Sequence, residues 1–137
     1  MKNLARVFIV FLITITVSAQ STTSKQFALN DNSSSGIFEF ETETIDYGTI
    51  KKHADGKRSF TFKNTGNSPI IISKIKASCG CTVASKPEEP IMPGKTGTIN
   101  VKYATDRVGS FSKNITVISN ASESNKVIKI KGVILKG

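Results

Sequence analysis

Cys79 and Cys81 flank Gly80 in the run Ser78-Cys79-Gly80-Cys81-Thr82, and the 137-residue chain has no other cysteine. In an extended strand, residues i and i+2 point the same way, with Cα atoms about 6.6–6.8 Å apart. Disulfides prefer roughly 5.5–6 Å and reach about 6.8 Å. A bond between the pair is therefore feasible, and easier if the chain bends at Gly80, where a bend meets no side-chain clash. The small ring would be strained, and strained disulfides are readily reduced. Three readings stand side by side. The pair is a local disulfide or reversible redox couple; or it is a thiolate site for a soft metal such as Cu(I); or it is two small, partly buried strand residues, as free cysteines often are. Parity fits the last, since Cys79, Cys81 and Val83 extend the row of Ile71, Ile75 and Ala77. His53 and Met92 are the further metal candidates, being the single histidine and the single methionine besides Met1. Nothing in the sequence brings either to the cysteines. Structural zinc is disfavoured, because two Cys and one His fall short of four good ligands. No other cofactor is expected.

Other apparent motifs fail on context. Gly94-Lys95-Thr96 ends like a phosphate-binding loop, but the required first glycine is Glu89 and strand-patterned residues follow. Pro93-Gly94 is better read as a turn, as are Gly66 and Gly80. There is no Gly-x-Ser-x-Gly elbow. His53 stands beside an expected Asp55-Gly56 hairpin turn, and a catalytic histidine there would need a nucleophile and an orienting acid from elsewhere. No catalytic residue is assigned, and the chain is expected not to be an enzyme.

The elements that must position the cysteines follow an opening of a different character. Lys2 and Arg6 precede an apolar run from Val7 to Val17, and Val17-Ser18-Ala19 supplies small residues before Gln20. This reads as a secretory signal peptide over residues 1–19, too short for a membrane span. Export to the periplasm or beyond is expected. Residues 20–36 are rich in Ser, Thr and Asn and read as a flexible leader. Residues 37–137 then form one domain large enough to bury its own core.

That domain repeats with period two. Phe38 and Phe40 share a face, as do Phe60 and Phe62; Ile99, Val101 and Tyr103; Ile115 and Val117; and Ile128, Ile130 and Ile134. Ile45 and Tyr47 fall on the parity of Glu39, Glu41 and Glu43, so a bulge or bend near Thr42 must return them to the core. Breaks rich in Gly, Pro, Asn and Asp separate the runs. With the short Cys81–Ser85 piece, about seven strands are predicted in an all-β, immunoglobulin-like antiparallel sandwich. The antibody hallmarks are missing: there is no tryptophan, and no cysteine pair is spaced to bridge two sheets.

Charge is uneven. The whole chain carries +9; without residues 1–19 it keeps seventeen basic and ten acidic residues, a net +7. The lysines are spread over every predicted strand, which describes a solvated basic surface better than a binding stripe. No aromatic-basic pattern marks a nucleic-acid site, and no nucleic-acid partner is expected.

The order Ile45-Asp46-Tyr47-Gly48, Asn64-Thr65-Gly66-Asn67-Ser68-Pro69, Ser78-Cys79-Gly80-Cys81-Thr82 and Pro93-Gly94 resembles the bacterial domain-of-unknown-function family one-five-seven-three, from about Ile45 to Val133. The Ser-Cys-Gly-Cys-Thr run is its most specific piece. The family is grouped with immunoglobulin-like Hydin-type (ASH) domains. The resemblance implies an exported sandwich and no activity. The functional expectation is a non-enzymatic binding or scaffolding module of the cell envelope, with an envelope protein or glycan as partner. The alternative is a thiol-redox or Cu(I)-handling protein using Cys79 and Cys81.

Overall fold

The computed structural model describes residues 34–137. The expected signal peptide and almost all of the leader lie outside the described residues. Ser34 to Gly36 belong to the folded body: the Ser68 hydroxyl donates to the Ser34 carbonyl, and the Asn67 N–H donates to that of Ser35. The domain therefore starts a few residues before Ile37.

Among the described residues, eight strands form two four-stranded sheets. They are β1 (Phe38–Phe40), β2 (Thr44–Lys51), β3 (Lys57–Asn64), β4 (Ile72–Ala77), β5 (Thr82–Ser85), β6 (Thr96–Tyr103), β7 (Gly109–Ser119) and β8 (Asn125–Leu135). The first sheet runs β1-β3-β6-β5 and the second β2-β8-β7-β4. The count exceeds seven because the first predicted strand is divided. The chain leaves one sheet at Phe40, bends through Glu41–Glu43 and joins the other at Thr44. That crossing reverses which parity faces inward, so Phe38 and Phe40 pack on one half of the core and Tyr47 is buried in the other. β2 also pairs with β8 in parallel, the one departure from an antiparallel sandwich.

The inner faces meet as the alternation requires. Phe60, Phe62, Ile99, Ile115, Val117, Ile128 and Ile130 are fully buried. Phe38 and Phe40 lie against Phe62 with ring centroids 5.0 and 5.3 Å apart, and Tyr103 stacks on Phe111 at 4.0 Å. A fully buried aromatic such as Phe62 contributes about 3–5 kcal/mol when measured by truncation to alanine. β4 corrects the parity read from sequence. Ile70 and Ile72 are buried while Ile71 is half exposed. A register irregularity between Ile72 and Lys74 leaves Ser73 as the extra residue, and this shift returns Ile75 to the core side. Val83 is likewise 67% exposed, with Thr82 buried beside it, so the cysteines do not extend a single apolar row.

The Asp55-Gly56 hairpin turn is absent. β2 and β3 belong to different sheets, and the turn between them is Lys51–Ala54, closed by the Ala54 N–H on the Lys51 carbonyl. His53 takes the left-handed conformation there, with φ 65°.

Candidate functional site

β4 and β5 are edge strands, one in each sheet, and the segment joining them carries the chain across the sandwich. Cys79 and Cys81 occupy this crossing and are joined by a disulfide, with Cα atoms 5.3 Å apart. The crossing is held from both sides. The Ser78 N–H donates to the Asn114 carbonyl of β7, and the Ala104 N–H donates to the Cys81 carbonyl. Within the turn the Thr82 N–H donates to the Cys79 carbonyl at 3.3 Å. The Ser78 and Cys81 bonds continue the β4–β7 and β5–β6 pairings, so they hold the chain on either side of Gly80 independently of the sulfurs.

The two sulfurs differ in surroundings. Both cysteines are half-buried, and Cys81 packs against the hydrophobic core. Cys79 lies 3.8 Å from the hydroxyl of Thr82, sulfur to oxygen, a distance suited to a weak hydrogen bond. Thr82 itself is only 5% exposed. Gly80 is exposed, and a Cβ built there meets nothing within 4 Å. As a staple the bond does little. The chain-entropy contribution grows with the closed loop, and for a loop of about three residues it amounts to roughly 1.6 kcal/mol, against about 3 for fifteen residues.

The other candidates lie elsewhere. The His53 N–H donates to the Thr105 carbonyl, on the far side of the segment that Cys81 borders through Ala104. That separates their backbones by two strand spacings, roughly 10 Å. Met92 is exposed in the turn closed by the Lys95 N–H on the Met92 carbonyl, before β6. Cys81 lies beyond the other end of β6, about 23 Å away at strand rise over its length. The structure thus does not gather Met92 with the cysteines. No cluster of three or more His, Cys, Asp or Glu side chains placed for a metal occurs among the described residues. Pro93 and Gly94 are the central pair of the Met92–Lys95 turn. Gly94 has φ 77°, the left-handed value that a type II turn needs at its third residue.

One residue escaped the sequence reading. Asn64 is fully buried at the end of β3. Its side-chain oxygen accepts the N–H groups of Ile37 and Gly66, at 3.2 and 3.0 Å. Its amide donates to the carbonyls of Ser68 and Ile91, both at 2.8 Å. Its backbone pairs with Gly94 and Lys95. One amide therefore joins the start of β1, the β3–β4 loop and the β5–β6 loop. The signal was present: Asn64 continues the inward parity of Phe60 and Phe62. At the opposite end, Tyr47 donates its hydroxyl to the Gly56 carbonyl at 2.8 Å under the guanidinium of Arg58, 4.3 Å from the ring centroid. Burial raises the Tyr47 phenol above its ordinary value.

Two packed four-stranded sheets, with the chain changing sheet between β1 and β2 and again between β4 and β5, give an immunoglobulin-like β-sandwich. The chain belongs to the family described as protein of unknown function (DUF1573), whose model matches residues 38–134. No curated protein matches the sequence. Among solved structures, the chain is similar to a protein of unknown function from Porphyromonas gingivalis, with TM-score 0.63 and 18% identity over 72% of this chain and 46% of that one. It thus spans about half of that protein. It is also similar to an ASH/PapD-like domain of human CEP192, with TM-score 0.61 and 8% identity over 75% of this chain and 88% of that one. A third likeness is to the CsuC–CsuE chaperone–tip adhesion subunit complex of Acinetobacter baumannii, with TM-score 0.52 and 12% identity over 71% and 56%. Parts of Vibrio cholerae proteases share the fold as well, so these likenesses establish the architecture and not an activity.

Proposed function

We propose that this chain is an exported, non-enzymatic immunoglobulin-like module that binds a protein of the bacterial cell envelope by strand addition at β5. The carrying observation is the open edge of that strand. The Cys81 carbonyl is bonded to Ala104, and Thr82 to Ser85 pair with Tyr103 to Asn100. Antiparallel alternation then turns the N–H and C=O of Ala84 away from β6. An edge of this kind offers main-chain bonds to an extended partner, and neighbouring pockets supply specificity. Inward of that edge, across β5, β6 and β3, the sheet carries an open depression of about 280 Å³ whose lining includes Lys57, Val83, Ser85, Asn100 and Lys102. Its two exposed lysines, Lys57 and Lys102, suit acidic side chains on the added strand. The PapD-like neighbours support the reading, one of them being a chaperone–subunit complex.

The test is capture from an envelope extract. Wild-type protein retains a partner, and Ala84→Pro, which removes the outward donor, weakens capture at least tenfold. Proline is tolerated at such an edge, so a matched melting temperature shows that the domain is intact. Cys79→Ser/Cys81→Ser captures normally. A glycan retained equally by Ala84→Pro, or a protein that remains monomeric and retains nothing, overturns the proposal.

A further inference from the structure

The disulfide is unused by strand addition and closes too short a loop to act mainly as a staple. We propose that Cys79–Cys81 is a thiol–disulfide exchange site that accepts two electrons from a dithiol, with Cys79 carrying the mixed disulfide. This inference is independent of the β5 edge.

Three observations carry it. The pair brackets an exposed residue, Gly80, and both cysteines are half-buried rather than enclosed in the core. The flanking ladder bonds at Ser78 and Cys81 keep the chain in place when the S–S bond is broken, so the reduced pair stays poised to re-form. The sulfurs are also unequal: Cys81 packs on the core, while Cys79 has the Thr82 hydroxyl beside it.

The chemistry balances as follows. A thiolate of the incoming dithiol attacks Cys79 Sγ, the S–S bond breaks, and its electron pair leaves on Cys81 Sγ, which takes a proton from water. The second thiol of the dithiol, deprotonated, attacks the sulfur bonded to Cys79. The dithiol departs as a disulfide, and Cys79 is released as a thiolate. A hydroxyl donor is worth most to the charged sulfur, so the Thr82 side chain assists this second departure. The dithiol is oxidised, and Cys79 and Cys81 are reduced.

Dithiothreitol is the dithiol probe, with thiols counted by alkylation and mass spectrometry. The folded protein should yield two alkylatable thiols with an unchanged circular dichroism spectrum. Cys81→Ser, given oxidised glutathione, should form a mixed disulfide between Cys79 and one glutathione, releasing the other as a thiol. Cys79→Ser should react at least tenfold more slowly through Cys81. Thr82→Val should move the pH profile of Cys79 alkylation upward and slow the reaction about threefold or more at pH 7. If a variant does not fold, peptide mapping of reduced wild-type protein after substoichiometric alkylation ranks the two thiols instead. A pair that stays oxidised in a hundredfold excess of dithiothreitol, or that is reduced only on unfolding, overturns the proposal; so do equal reactivities at the two sulfurs.

Discussion

The Asn64 end and the cysteine crossing solve one problem in opposite ways. Both are places where irregular backbone must be tied to the sandwich. At Asn64 a single buried amide satisfies four backbone groups from three segments. At the crossing, the side chains add only a three-residue disulfide and one weak sulfur–hydroxyl contact to the ladder bonds. The first arrangement is costly to open, because each orphaned buried group costs about 1–3 kcal/mol. The second can lose its S–S bond with the flanks still held. The contrast sets a buried, four-bond side-chain anchor at one end of the sandwich against a crossing held mainly by backbone bonds.

The largest effect expected from this comparison is at Asn64. Asn64→Ala should destabilise the domain by about 3 kcal/mol, since two N–H groups and two carbonyls lose their partner and water regains only part of the loss. Chemical denaturation measures this directly. Cys79→Ser/Cys81→Ser should cost no more than about 1.6 kcal/mol. Equal losses at the two sites would erase the contrast.

A pair of glycines sharpens it. Gly66 and Gly80 both read as turn glycines in the sequence, yet their surroundings differ. A Cβ at Gly66 would lie 2.2 Å from the Ser35 carbonyl oxygen and 2.6 Å from the Ile37 nitrogen, both backbone atoms that cannot step aside. A Cβ at Gly80 would meet nothing within 4 Å, and its φ lies outside the left-handed region. Gly66→Ala should therefore cost about 1–3 kcal/mol through overpacking, while Gly80→Ala stays within about 0.5 kcal/mol of wild type. Thermal melts of the two variants side by side decide the matter.

The same contrast explains what the sequence could show. Alternation read the inner faces of β3, β6, β7 and β8 correctly, because each has one wet and one dry face and the pattern records that directly. It failed at Ile70-Ile71-Ile72, where three isoleucines in a row carry no phase and a bulge at Ser73 resets it. It also could not foresee that β2 lies parallel to β8, since period two is the same for either direction. The bend near Thr42 was legible as a parity conflict, though not as a change of sheet. The i, i+2 spacing of the cysteines established that a bond was feasible. The asymmetry between the sulfurs depends on Thr82 turning inward, and that follows from pairing with β6 rather than from local pattern. Asn64 was in phase with Phe60 and Phe62, but a polar residue at a turn is ordinarily taken as exposed, and only the carbonyls and N–H groups around it make burial favourable.

The smallest effect concerns a charged tie at the start of β8. Lys126 Nζ sits 2.6 Å from a Glu43 carboxylate oxygen and 3.1 Å from one of Glu123, joining the start of β8 to the bend between β1 and β2. The hydrogen bond that Lys126 donates to the Glu43 carboxylate is the main cause that raises its ammonium above the ordinary value of 10.5. The folded state thus binds this proton more tightly than the unfolded chain. Its contribution is complete below 10.5 and is lost as pH climbs through the higher folded value. The lysine side chain is 13% exposed but the glutamates are 55% and 57% exposed, so solvent screens the pair. Lys126→Met should accordingly cost only about 0.5 kcal/mol near neutrality. The gap from wild type should close in strongly alkaline buffer and also shrink in 1 M salt, where screening acts within about 3 Å. Tyr47 titrates in the same alkaline direction, because burial favours its neutral phenol. Its effect is common to both proteins and cancels in the difference. A gap that stayed constant from pH 7 to beyond the lysine range would assign the loss to packing of the lysine stem rather than to its charge.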